Sequence, residues 1–308
     1  MSHNTMNLII AISSLFHFGY GKLHAQAIVI DHTCIEITEI PEWAIVQAKQ
    51  KLHIAYGHTS HGSQLTEGMQ YLVEFANRGG RGLALPKDIL KWNDGGRNGA
   101  LDLHDYAMGR DAGRYPEWVD ATRAYLADSQ NSDVNVIMWS WCGQVSLKYD
   151  DNCLFSEYLI PMSELEMEYP NIIFVYMTGH LDHSRDANNK AANLIIRNYC
   201  EAYEKVLYDF ADIESYDPNG TYYPFADDSC EYYASRTGDL LGNWAIEWQE
   251  SHVLGLDWYK SGASHSESLN ANMKAYAAWW LFARLGGWPG STCQCVLASN
   301  DHVCHNDY

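Results

Sequence analysis

The chain of 308 residues carries 39 acidic and 20 basic side chains, a formal net charge of −19, and 47% of it is hydrophobic. That apolar content is enough to bury a large core, which excludes a compositionally disordered chain. The acidic excess opposes a phosphate backbone or an anionic membrane surface, so neither nucleic acid nor membrane is expected as a partner.

In chain order, Asn7 to Tyr20 is mostly apolar and uncharged, and Ala25-Gln26-Ala27 follows as a small-x-small cleavage signature. Residues 1–27 therefore read as a secretory signal peptide, although no Lys or Arg precedes the apolar run. No later segment has the length of a transmembrane helix, so a processed chain is expected to be secreted or periplasmic. All eight cysteines (Cys34, Cys142, Cys153, Cys200, Cys230, Cys293, Cys295 and Cys304) lie beyond that point. An even count in an oxidising compartment predicts disulfides, with the connectivity open.

Leu52–Tyr56 reads as a short buried strand, and Leu65, Met69, Leu72 and Ala76 then recur at helical spacing. Between them, Gly57-His58-Thr59-Ser60-His61-Gly62-Ser63-Gln64 forms a strand-to-helix turn. A serine there is a candidate nucleophile, because glycines permit the bend and the helix N–H groups face an oxyanion. Helix capping is the competing use of the same residues. Arg78 to Arg114 is rich in Gly, Asp and Asn and reads as a long excursion, with one strand expected at Gly82–Leu85.

A helix over Glu117–Leu126 precedes a strand over Val134–Trp141. Another helix approaches Tyr169 with Pro161 at its start, where proline is tolerated. The apolar run Ile172–Met177, a helix over Asn188–Tyr203 and the run Lys205–Phe210 continue the alternation. Glu214–Gly262 is an irregular rim rich in Tyr, Asp, Ser and Trp, in which Asp217-Pro218-Asn219-Gly220 reads as a turn. The last helix spans Leu269–Leu285.

This βα alternation predicts an α/β fold: a flavodoxin-like three-layer α/β/α sandwich over residues 28–288, with a mostly parallel, doubly wound sheet and long loop insertions. Residues 289–308 read as a cysteine-containing C-terminal tail.

In such a sheet, functional groups gather outside the carboxyl ends of the strands. The residues just past the predicted strands are His58, Ser60 and His61, then Cys142-Gly143-Gln144, then His180 and Asp182, with Asp209 and Asp212 further on. Ser264-His265 precedes the last helix. Serine, imidazole, carboxylate and amide are the groups of acyl transfer. Each also has a plainer use: Gln144 in a buried turn, His265 as a cap, Trp139 and Trp141 as packing residues. His58, His180 and Asp182 form a competing metal set, but a His-x-Asp pair is a weak ligand signal.

Gly57-His58-Thr59-Ser60-His61-Gly62 resembles the nucleophile block of the SGNH (GDSL-like) hydrolase superfamily, in a divergent Gly-His-x-Ser form. Gly143-Gln144 lies where its Gly-x-Asn oxyanion block would fall, and His265 with the following apolar helix resembles its terminal histidine block. The resemblance covers most of Lys51–Trp288. It implies Ser60 as nucleophile, His265 as base, Gln144 as oxyanion donor, and no metal or cofactor. The superfamily's acid precedes its histidine by three residues, where this chain has Gly262; either another carboxylate orients the base, with Asp182, Asp257 and Glu267 as candidates, or the site works as a dyad, or the chain is a non-catalytic relative. His58, His61, Trp141 and His180 form the candidate substrate-binding set.

The expected function is a secreted serine esterase removing acyl groups from a polysaccharide or another small ester. A non-catalytic carbohydrate-binding or assembly protein on the same scaffold is the alternative, favoured by the missing acid. Oligomeric state is not legible from the sequence.

Overall fold

The computed structural model describes residues 26–291. Most of the predicted leader, and Cys293, Cys295 and Cys304 of the tail, lie outside the described residues. The remaining five cysteines, Cys34, Cys142, Cys153, Cys200 and Cys230, form no disulfide with one another. No helix among the described residues is long and apolar enough to cross a membrane.

The elements follow in chain order: β1 (Ile28–Ile30), α1 (Glu42–Lys51), β2 (His53–Gly57), α2 (Ser60–Asn77), β3 (Trp92–Asn93), β4 (Leu101–His104), α3 (Glu117–Ala127), β5 (Val136–Trp139), α4 (Val145–Asp150) and α5 (Ile160–Glu168). After these come β6 (Ile173–Met177), α6 (Asp186–Ala202), β7 (Val206–Tyr208), α7 (Phe210–Ile213), β8 (Glu231–Tyr233), β9 (Leu240–Asn243), α8 (Trp244–Ser251) and α9 (Ser268–Gly286). Seven strands form one sheet in the order β1-β7-β6-β5-β2-β4-β3, with every neighbouring pair parallel. The β8–β9 pair is antiparallel and stands apart.

Helices α1 and α2 pack on α9, while α3 packs on α5 and α4 on α6, completing a three-layer α/β/α sandwich. Cover on both faces explains why β5 and β6 read as unbroken apolar runs. Helix α9 is buried along nearly its whole length, including Tyr276, Trp279 and Phe282. Burying each such large side chain contributes about 1.5–3 kcal/mol. Helices α2 and α9 cross closely because of Gly68, where a Cβ would lie 2.1 Å from the carbonyl oxygen of Ala271.

Two expectations are corrected. Gly82–Leu85 is not a strand: Gly79, Arg81 and Gly82 have left-handed φ values of +78°, +52° and +74°, which prevents extension into this segment. The sheet gains β3 and β4 from the same excursion instead. At the opposite edge Ile28–Ile30, predicted only as the start of the processed chain, pairs with β7.

Strand β2 lies between β4 and β5. The chain leaves it through α2 toward β4, then returns to its other side at β5. The helices that follow β2 and β5 enter opposite layers, so the strand order reverses between β2 and β5, the place in such a sheet where a crevice is expected at the carboxyl ends of the strands.

Candidate functional site

Ser60 is the first residue of α2, and the N-cap is Thr59. The Thr59 hydroxyl makes no cap; it donates to Asp111 Oδ2 at 3.1 Å. Ser60 is not spent on capping either. Its Oγ lies 2.9 Å from His265 Nε2, across 205 positions of sequence. The first helical ladder bond runs from Ser63 N–H to the Thr59 carbonyl at 3.1 Å. The N–H groups of Ser60, His61 and Gly62 thus have no intrahelical acceptor. At Gly62 a Cβ would come within 2.2 Å of Ser140 Oγ and 2.4 Å of His58 Cβ, so only glycine lets this turn seat against the sheet.

His265 is exposed and sits at φ +66°, a left-handed conformation that costs a non-glycine residue energy and must be held in place. Helix α2 holds it through the preceding residue. Glu67 accepts both the backbone N–H and the hydroxyl of Ser264 at 3.2 Å, and Gln64 Nε2 donates to the Ser264 carbonyl at 2.6 Å. Ser63 Oγ bonds Glu67 at 2.9 Å. Residues 60, 63, 64 and 67 share one face of the helix, so the segment that carries the nucleophile also grips the base.

Beneath Gln64, Lys274 donates to its side-chain carbonyl and lies 2.6 Å from Glu214 Oε2. Both charged groups are fully buried. Burial pushes the lysine below its ordinary value and the glutamate above its own. Glu214 also accepts the Leu181 N–H, tying this pair to the loop after β6.

A second set of groups adjoins the first. Cys142, in the loop after β5, lies 3.8 Å from Ser60 Oγ and 3.3 Å from His61 Nδ1. His61 Nε2 lies 2.9 Å from Asp228 Oδ2. The His61 ring stacks on His180 at 3.7 Å and on His265 at 4.4 Å between centroids. Burial lowers the His61 pKa to about 4, with the two neighbouring imidazoles adding to the effect and Asp228 opposing it. Burial pushes the Asp228 carboxyl up, but the His61 hydrogen bond and the charges of the two imidazoles hold it below its ordinary value.

The remaining predicted site residues separate. Gln144 Oε1 accepts the Cys142 N–H at 3.0 Å, which fixes the amide and leaves its NH2 end to donate. Asp182 does not reach His265: its carboxylate accepts from Ser184 Oγ at 2.6 Å and from the Arg185 N–H at 3.2 Å, capping its own turn. Asp257 accepts the Val253 N–H, and Glu267 precedes α9. His265 has no carboxylate partner among the described residues. The closest substitute in space for a side chain at 262 is Glu67, whose Oε2 would lie 2.8 Å from a Cβ built on Gly262.

Trp141 presents no ring to a ligand, because it is buried with its indole N–H donated to the Met177 carbonyl at 3.0 Å. His58 is also buried, and both its nitrogens are engaged, with Asp105 at 2.9 Å and the Thr59 carbonyl at 3.0 Å.

The predicted metal set of His58, His180 and Asp182 is not assembled. His61, His180 and Asp228 do bring ligand atoms within 4.8 Å of one another. Ring lone pairs lie in the ring plane, however, and the two imidazole planes are stacked only 2° from parallel. They cannot both point at one ion without turning.

Sequence reading missed Asp228 and Glu67. Asp228 sits in the irregular rim, where nothing local marks it. Glu67 was legible as the fourth member of the polar face 60/63/64/67. No family model, curated protein or solved structure matches this chain.

Proposed function

We propose that this protein is a serine-dependent ester hydrolase of SGNH-like type, acting on acylated carbohydrate or another small ester. The observation that carries the reading is the 2.9 Å contact between Ser60 Oγ and His265 Nε2 beyond the carboxyl end of β2. Ser60 O–H donates to the imidazole, which takes the proton as Oγ attacks the acyl carbon. Negative charge developing on the carbonyl oxygen faces the free N–H groups of the first turn of α2, with the Gln144 NH2 as a further donor. His265 returns the proton to the departing alkoxide, and water repeats the cycle on the acyl-serine. The nucleophile comes from side chains, and no metal or cofactor enters the scheme.

Carbohydrate as the acyl carrier is supported by Tyr106, which is 54% exposed and stands edge-on to His58 at 5.3 Å. An exposed ring beside His58, two residues before the nucleophile, provides a flat apolar face for a sugar. The leader-like run at residues 7–20 supports action outside the cytoplasm.

Ser60→Ala should lower kcat on short acyl esters by roughly 10³-fold or more, and His265→Ala by roughly 10²-fold or more, with circular dichroism unchanged. Full activity in folded Ser60→Ala would overturn the assignment. A non-catalytic binding protein is the second reading, favoured by the lack of a carboxylate on His265. It predicts no turnover in the unmodified protein and retained ligand affinity in both variants.

A further inference from the structure

We propose that Cys142, His61 and Asp228 form a second nucleophilic centre in the same crevice, a thiol that accepts acyl groups from activated esters and thioesters. Hydrogen bonding defines the proton positions. The Asp228 carboxylate accepts only, so His61 Nε2 carries the hydrogen of the 2.9 Å contact and Nδ1 is left as the acceptor for the Cys142 thiol at 3.3 Å. Nucleophile, base and orienting acid are therefore aligned in sequence, which the Ser60 and His265 pair alone does not achieve.

Two further observations separate this arrangement from a buried structural cysteine. Cys142 is half-buried and flanks Ser60 Oγ at 3.8 Å, so a carbonyl within reach of one nucleophile is within reach of the other. Behind it, His180 is only 7% exposed and its Nε2 has no partner. Its Nδ1 donates to the Leu181 carbonyl at 2.5 Å, which leaves Nε2 as a bare acceptor. That nitrogen faces the Cys142-Gly143-Gln144 loop, 3.8 Å from where a Cβ on Gly143 would lie. A buried acceptor without a donor, beside the loop that carries Cys142, is a place for a ligand's hydroxyl or N–H. Among the described cysteines, Cys142 alone bonds to an imidazole.

In the acylation step Cys142 S–H passes its proton to His61 Nδ1 as the sulfur–carbon bond forms. The tetrahedral adduct then collapses with cleavage of the carbon–oxygen or carbon–sulfur bond. The leaving group departs with that electron pair, and the proton on His61 neutralises it. No oxidation or reduction is involved.

The inference goes beyond the ester hydrolase reading, and the test keeps them apart. The Ser60→Ala protein is incubated with p-nitrophenyl acetate, then analysed by intact mass and peptide mapping. One acetyl group per chain is expected on Cys142, removable by neutral hydroxylamine as a thioester is. It should form at least about tenfold faster than on Cys153, the other partly exposed thiol among the described residues. His61→Gln and Asp228→Asn should each slow it by about tenfold or more. Asp228→Asn preserves size and decides the matter if His61→Gln does not fold. Absence of acetyl on Cys142, or a rate matching Cys153 and indifferent to both substitutions, overturns the inference. Ser60-dependent hydrolysis is scored separately, in unmodified protein against Ser60→Ala.

Discussion

Ser60 meets an exposed imidazole, His265, whereas Cys142 and Asp228 meet a buried one, His61, which stacks on His265 and joins the two sets. The exposed pair depends on a loop residue in a left-handed conformation, gripped from α2 through its neighbour Ser264. The set around the buried His61 has its acid in place and needs no such grip. The contrast shows two ways of orienting an imidazole: a carboxylate on the ring itself, or clamps on the backbone beside it. A ring of the second kind remains free to tilt toward a substrate, while one of the first kind is fixed in tautomer and plane.

Acidification should cost the fold stability through His61, and this is the larger of two effects that probe the contrast. His61 titrates near its ordinary 6.5 in the unfolded chain and at about 4 in the folded one. Between those values the unfolded state binds more protons, so stability is complete above pH 6.5 and declines as pH falls toward 4. The loss amounts to roughly 3 kcal/mol. Urea denaturation at pH 7 and pH 4 measures it, and His61→Gln should remove this part of the pH dependence. An unchanged pH dependence in that variant would mean that His61 is not held neutral by burial.

The exposed pair should yield to loss of its clamp. Glu67→Ala frees the Ser264 N–H and hydroxyl, so kcat on short esters is expected to fall by about tenfold while KM changes little, because the loop no longer fixes the base. Steady-state kinetics checks it. A change confined to KM would place Glu67 in substrate binding, and no change would leave His265 positioned by its stack on His61 alone.

Much of the fold was legible because α2, α3, α6, α9 and the strands β2, β5 and β6 are either periodic or continuously apolar. The edges were not. Strand β4 reads Leu-Asp-Leu-His, short and half polar, and β3 has two residues, so both were hidden in a glycine-rich excursion. Ser60 and His265 were legible from their places beside predicted elements. The acid was not, since a place just past a predicted strand pointed to Asp182 while the fold spends that carboxylate on its own turn. Asp228 reaches His61 across 167 positions from a segment without a pattern, a contact that only tertiary structure creates. Glu67 differs from Asp228: its place on the polar face 60/63/64/67 could be read from helical spacing, but its task could not, because the loop it holds lies 197 positions away.

The central claim is that Ser60 is a nucleophile activated by His265. Labelling the native protein with a fluorophosphonate, followed by peptide mapping, tests it most directly, because such reagents phosphonylate serines whose hydroxyl is activated by a base. A single adduct on the peptide bearing Ser60, abolished in His265→Ala, is the predicted result. Folded protein that takes up no label at Ser60, or that labels there equally well without His265, would contradict it.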